Sequence, residues 1–328
     1  MMTSETRAPA VAALLAATAA WGSLFLVSKP ALAHIDPVWF TFVRYTLATA
    51  LLSGLLAWQG RGAWQKLQAH GARLALTGFV GYGVFSSMVL IGLSHSLPSH
   101  GAVIMATMPI TTQLVRWGLD GERPTRAALL GTALALAGVL LVSGVLLAGS
   151  QGRSTVQGDL VAWLGTLGWI WYTRNGARLP SFSPLQYTAL TAISSWPLLL
   201  AGALATAEVK LSHVPSLADL ALSWRALTYV AVVPSVAAVI AYNFGVRRLG
   251  VVTGTAFLNF VPVSALLMCT AVGAPPSMHE LAGAALVVIA LLVHTAGQGR
   301  AQSPERPRTR AGAGAGFKSR SVDARCNA

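Results

Sequence analysis

The sequence predicts an all-α polytopic membrane protein, and three observations lead there. The 328-residue chain is 54% hydrophobic and only 10% charged, against about a quarter charged in ordinary soluble proteins. Apolar blocks of about 20 residues recur from end to end, the length that crosses a hydrocarbon core of roughly 30 Å. The two halves also repeat one another. Gly92 precedes Pro109 by the spacing with which Gly245 precedes Pro262, and Gly121 precedes Gly131 as Gly273 precedes Gly283. Two matched spacings inside apolar runs argue for an internal duplication.

The first block, 11–31, follows a short polar start carrying Arg7. Ala31-Leu32-Ala33 resembles a leader cleavage site. The block is long for a signal core, however, carries Lys29 before that site, and has in Trp21 a counterpart to Trp169 of the second half, so it is read as a span. Blocks 37–58, 73–93, 99–119 and 127–147 complete the first half. Blocks 160–173, 184–205, 224–246, 251–272 and 281–296 make the second, giving ten predicted transmembrane helices. Unbroken apolar runs exclude barrel strands, which alternate polar and apolar residues.

Lys and Arg favour cytoplasmic loops. With the N-terminus inside, 18 of the 23 basic residues fall on the cytoplasmic side; Lys29, Arg153, Lys210 and Arg225 fall outside, and Arg44 lies within a span. Five spans per half then force the second half to enter the membrane upside down. The chain is thus read as a cytoplasmic N-terminus (1–10), a first repeat (11–147), an extracytoplasmic linker (148–156), an inverted second repeat (157–298) and a basic cytoplasmic tail (299–328). The composition of that tail predicts disorder. Inverted five-helix repeats are typical of secondary transporters, whose substrate site lies between the halves near the midplane.

The net charge of +13 fits cytoplasmic loops and tail rather than nucleic acid. The two cysteines, Cys269 and Cys326, form no CxxC or Cys/His metal spacing. No phosphate loop, HExxH or GxSxG motif occurs, so no enzyme activity, cofactor or metal is expected. The expected partners are a small-molecule substrate, the lipid bilayer and at most a second copy of the chain.

Several motifs together resemble the EamA-like branch of the drug/metabolite transporter superfamily. They are Ala20-Trp21-Gly22-Ser23 with Lys29, Asp36-Pro37 leading to Phe42 and Arg44, and Gly92-Leu93, Pro109 and Gly121-Glu122. In the second half Gly158-Asp159-Leu160, Trp169, Tyr229 and the segment from Asn243 and Gly245 to Pro262 follow in order. The match spans nearly all of residues 11–298. The resemblance implies export of a small metabolite, such as an amino acid or related compound, across the inner membrane by alternating access. Efflux of amphipathic drugs is the alternative within that class, and a membrane-embedded enzyme or scramblase the alternative outside it. Two departures stand out: Gly273-Ala274 replaces the family's Gly-Glu, and Thr191 falls opposite Arg44.

None of the ten acids lies near the middle of a predicted span. Proton relays and organic-cation sites commonly use such carboxylates, so the expected substrate is neutral, zwitterionic or weakly anionic. Lys29 and Arg44 are the ionisable groups nearest the bilayer interior, where charge is costly and marks function. His100 opens the fourth span and is a candidate ligand. Trp21, Tyr82, Trp169, Trp171, Tyr172, Tyr242, Asn243 and Asn259 fall in the spans that the resemblance implies surround a central cavity. Pro109 and Pro262 each remove a backbone donor and are candidate hinges. Trp39 and Trp58 fit an interfacial belt, and Gly131, Ala135 and Gly138 form a small-residue packing face.

Overall fold

A computed structural model describes residues 4–60, 62–94, 98–143, 156–271 and 278–301. In hydrocarbon a backbone finds no water, and its polar groups must pair within the segment. Among the described residues every element is accordingly helical. The first half holds α1 (Ser4–Ala31), α2 (Pro37–Trp58), α3 (Gly62–Gly78), α4 (Phe85–Ser94), α5 (Pro98–Asp120) and α6 (Arg126–Ser143). The second holds α7 (Val156–Ala177), α8 (Pro184–Glu208), α9 (Leu217–Val230), α10 (Ala238–Leu249), α11 (Val251–Phe257), α12 (Phe260–Ala271) and α13 (Met278–Ala301). A π-helical turn, Phe79–Val84, joins α3 to α4, and another, Ala231–Ala237, joins α9 to α10.

Among the described residues, five stretches are long and apolar enough to cross a membrane: Arg7–Ser28, Pro37–Trp58, Gly62–Gly92, Pro184–Glu208 and Leu217–Leu249. On α2 the exposed Leu47, Leu51 and Leu55 share one face, while Arg44, Tyr45, Ala48, Leu52 and Leu56 are buried on the other. An apolar outside around a more polar inside is how a multi-pass membrane protein is built.

Local chemistry sets the ends. Asp36 caps α2 by accepting from the Val38 N–H at 2.9 Å, with Pro37 at the first helical position. Ser183 does the same for α8, forming a capping box with Gln186 ahead of Pro184. Gly121 ends α5 at φ +71°, a left-handed conformation that favours glycine.

Several boundaries differ from the sequence reading. Helix α1 begins at Ser4 rather than at 11, the third helical stretch begins at Gly62 rather than at 73, and α7 spans Val156–Ala177 rather than 160–173. Polar first turns hide helix from a reading based on apolarity. The span read at 251–272 is broken at Leu258–Asn259, and α13 continues to Ala301, past the expected start of the tail. Trp39, expected in an interfacial belt, is 7% exposed and packs edge-on against Phe42 at 5.7 Å; Trp58, 91% exposed, does face outward.

Packing between the halves follows a reciprocal pattern. Helix α4 lies on α7 as α10 lies on α1; α5 meets α7 as α12 meets α1; α3 meets α8 as α9 meets α2; α6 pairs with α13. Glycines allow the close approaches. A Cβ on Gly92 would stand 2.6 Å from the Gly158 carbonyl oxygen, and one on Gly245 3.1 Å from that of Ala10. A Cβ on Gly138 would stand 2.7 Å from the Gly283 carbonyl oxygen and 2.9 Å from the Val287 nitrogen. Gly138→Ala therefore has to push α6 from α13 and should cost about 1–3 kcal/mol, read as a lower unfolding temperature of the purified protein. Gly54→Ala, with nothing within 4 Å of the new Cβ, should leave that temperature unchanged.

Candidate functional site

The start of α4, just past the first π turn, meets the second π turn and the α11–α12 break at one place. A cavity of about 60 Å³ lies between the halves, lined by Trp21 of α1, Arg44 of α2, Ser86 of α4, Trp169 of α7, Pro234 of the second π turn and Leu258 at the break. Phe85, Val89, Met105, Val239 and Val261 complete apolar walls. A single water needs about 10–15 Å³, so the space suits a few waters or part of a small solute.

Trp21 and Trp169, counterparts in the two halves, meet edge-to-face at 5.2 Å. The Trp21 indole N–H donates to the Pro234 carbonyl at 3.0 Å. Proline has no N–H to continue the ladder, and the Ser235 hydroxyl donates to the Val230 carbonyl at 2.8 Å in the same turn. Trp169 is 3% exposed, stacks on Tyr172 at 5.1 Å, and its Nε1 has no hydrogen-bond partner. Arg44 is 4% exposed. Its Nη2 donates to the Ser86 hydroxyl at 2.6 Å, its guanidinium carbon lies 4.7 Å from the Tyr45 ring centroid, and its Nε is unpaired.

Next to the cavity a buried polar layer ties the first π turn to α7, α8 and α10. Tyr82 donates to the Tyr172 hydroxyl at 2.7 Å and lies 3.1 Å from the Thr191 hydroxyl. Asn243 donates to the Tyr172 hydroxyl at 2.7 Å and to that of Thr188 at 2.8 Å. The Tyr187 hydroxyl donates to the Tyr172 carbonyl at 2.6 Å. Tyr242, fully buried, lies 5.2 Å from Trp21 and 5.4 Å from Trp169, ring to ring. Its hydroxyl lies beside Thr173 and Trp169 but makes no well-aligned hydrogen bond.

Beyond that layer an ionic cluster gathers at the C-terminal ends of α5 and α7. Arg174 of α7 grips Asp120 of α5 through Nε at 3.1 Å and Nη2 at 2.6 Å, and Arg178 adds a bond at 2.7 Å. Lys66 of α3 donates to the Ser181 carbonyl at 2.6 Å and to Gln186 at 2.8 Å. Arg247 of α10 donates to the Leu179 and Pro180 carbonyls at 3.1 and 2.6 Å. The connection from α7 to α8 is thus held by side chains of both halves. Arg174's hydrogen bond and the positive charges of Arg174 and Arg178 hold the Asp120 carboxyl below the usual carboxylate range, against partial desolvation.

The remaining predicted site residues separate from this set. Trp171 is 40% exposed, on the face of α7 opposite Trp169, and does not line the cavity. The side chains of Lys29 and His100 lie outside the described residues. Asn259 is 2% exposed at the α11–α12 break, with its Oδ1 unpaired. The two prolines are not structurally alike. Helix α5 continues through Pro109, whereas Pro262 follows the break in the first turn of α12. There the Leu258 carbonyl, which no proline N–H can reach, accepts from Val261 at 3.0 Å.

The sequence profile of the EamA-like transporter family matches residues 8–144 and again 156–296. The chain belongs to this family. Among its relatives, this EamA-like protein is 26% identical to the uncharacterized transporter YrdR of Bacillus subtilis over 85% of its own length and 89% of the relative's. It is 27% identical to the uncharacterized inner membrane transporter YedA of Escherichia coli over 91% and 94%. It is also 23% identical to a probable terminal-alkyne amino-acid exporter of Streptantibioticus cattleyicolor over 91% and 97%. A solved crystal structure superposes with a TM-score of 0.69 at 21% identity, covering 88% of this chain and 98% of its own; it shows the fold alone. The protein is a multi-pass membrane transporter.

Sequence reading missed Ser86, Tyr187, Thr188 and the Asp120 cluster of this transporter. A signal for the last exists in the basic i, i+4 pair Arg174 and Arg178 at a helix end, but nothing in the sequence says which acid they meet. Two outcomes follow. Tyr172→Phe removes the hydroxyl shared by Tyr82 and Asn243 and should lower stability by about 1 kcal/mol, seen in thermal unfolding. Because the folded pKa of Asp120 is depressed, its contribution is present above the unfolded value of about 3.9 and is lost as pH falls through the folded one. The stability difference between wild type and Asp120→Asn should therefore stay constant from pH 5 to 8 and shrink only in stronger acid.

Proposed function

We propose that this EamA-like protein is a secondary transporter that moves a small metabolite, such as an amino acid or related compound, outward across the cytoplasmic membrane by alternating access. In this reading residues 11–147 and 157–298 are two inverted five-helix repeats, with ten spans in all and both termini cytoplasmic. The observation that carries it is the meeting of Trp21 and Trp169, counterparts in the two halves, at a cavity flanked by a π turn from each half. The reciprocal packing of the helices supports the same relation. π-helical turns recur at functional sites, and irregular backbone at membrane depth is tolerated where it lines a cavity.

The cavity of about 60 Å³ favours a small solute over bulky amphipathic drugs. Helix α5 and α7 end at the face assigned to the cytoplasm. The Asp120 cluster and the polar tyrosine layer therefore close the cytoplasmic path, and opening it requires Arg174 and Arg178 to release Asp120.

Reconstituted into proteoliposomes, the protein should carry labelled small metabolites saturably and leave bulky dyes behind. No solute moving under any gradient would contradict the reading. Asp120→Asn, by removing the closing contact, should slow flux several-fold with membrane insertion unchanged; flux equal to wild type would reject the cluster's part in the cycle.

A further inference from the structure

We infer that the cavity holds a carboxylate: Arg44, with Ser86 beside it, forms a binding site for the acid group of a small, apolar-tailed organic anion. The inference rests on the transport reading for its biological setting and deepens it by naming the chemistry of the solute.

The argument starts from Arg44, which lines the cavity and is 4% exposed. Its Nη2 donates to the Ser86 hydroxyl, and its Nε has no hydrogen-bond partner. A guanidinium carries five N–H donors and no acceptor. Such a group calls for a partner that only accepts, and an ionised carboxylate is the common organic group of that kind.

Charge points the same way. A buried guanidinium without a counter-ion is costly, and no described carboxylate lines the cavity. Asp120 and Glu122, at the end of α5 and in the turn after it, pair instead with Arg174, Arg178 and Arg116. The Tyr45 ring beneath Arg44 offsets part of that cost and leaves the charge unneutralised. An arriving anion supplies what the protein withholds. Apolar walls at Phe85, Val89, Met105 and Val239 suit the tail. An ammonium group would find no described carboxylate in that lining, so the acid, not an amine, is the handle.

The test compares three molecules of one shape on the purified full-length protein by titration calorimetry: 4-methylpentanoate, 4-methylpentanamide and 3-methylbutylamine. The acid should bind at least tenfold more tightly than the amide or the amine. Arg44→Gln should weaken acid binding at least tenfold, with partial recovery in Arg44→Lys. Equal affinities for acid and amide, or absence of acid binding, would overturn the site. The wild-type comparison needs no variant to fold. Acid-selective binding in a protein that moves no solute would support the site and defeat the transport reading. Flux without discrimination between acid and amide would defeat the site and leave transport standing.

Discussion

A peptide backbone surrounded by hydrocarbon must satisfy its own hydrogen bonds, and that constraint organises this molecule. Regular helix meets it at no further cost. Departures from regular helix therefore need a local partner, and three of them are found at the cavity. The first π turn runs into Phe85 and Ser86; the second contains Pro234 and Ser235; the α11–α12 break presents Leu258. At the second turn and the break the displaced groups are answered from nearby: the Pro234 carbonyl by Trp21, the Val230 carbonyl by Ser235, and the Leu258 carbonyl by Val261. The cavity exists because the backbone bends around it, and the backbone can bend there because Trp21 of the facing half and the local groups of Ser235 and Val261 complete its bonding.

The two halves share a plan and divide the labour within it. Gly92 and Gly245, spaced alike from their prolines, both let a helix end approach the other half closely. Trp21 and Trp169 occupy equivalent places and touch, yet one indole N–H is bonded and the other is not. Arg44 and Thr191 diverge further. Arg44 brings a charge to the cavity wall, while Thr191 joins the hydrogen-bonded layer with Tyr82. Duplication supplied the frame; divergence placed a charge on the cavity wall and a neutral, hydrogen-bonded layer next to it.

Much of this was legible in the sequence for physical reasons. Apolar run length reports helices in a membrane, and the membrane character and family membership drawn from it hold. Of the site residues, Trp21, Arg44 and Trp169 line the cavity, and Tyr82, Tyr172 and Asn243 form the adjoining layer. Trp171 could not be told from Trp169, because two residues along an uninterrupted apolar helix nothing in composition distinguishes the lipid face from the interior. The π turns were hidden as well, since Gly81, Gly83 and Pro234 are ordinary in membrane helices. The pairing of Asp120 with Arg174 joins residues 54 positions apart in different halves, a relation that only the packed structure reveals.

The central claim is that two halves rock about the cavity, opening one end as the other closes. Spin labels at Leu119 and Ala177 flank the Asp120 cluster, and labels at His34 and Val214 mark the connections at the other end; all four positions are exposed. Double electron–electron resonance on the two pairs in lipid, with and without a bound carboxylate, reads both ends directly. The account predicts two populations for each pair, with one distance lengthening as the other shortens. A single, unchanging distance for both pairs under every condition would contradict it.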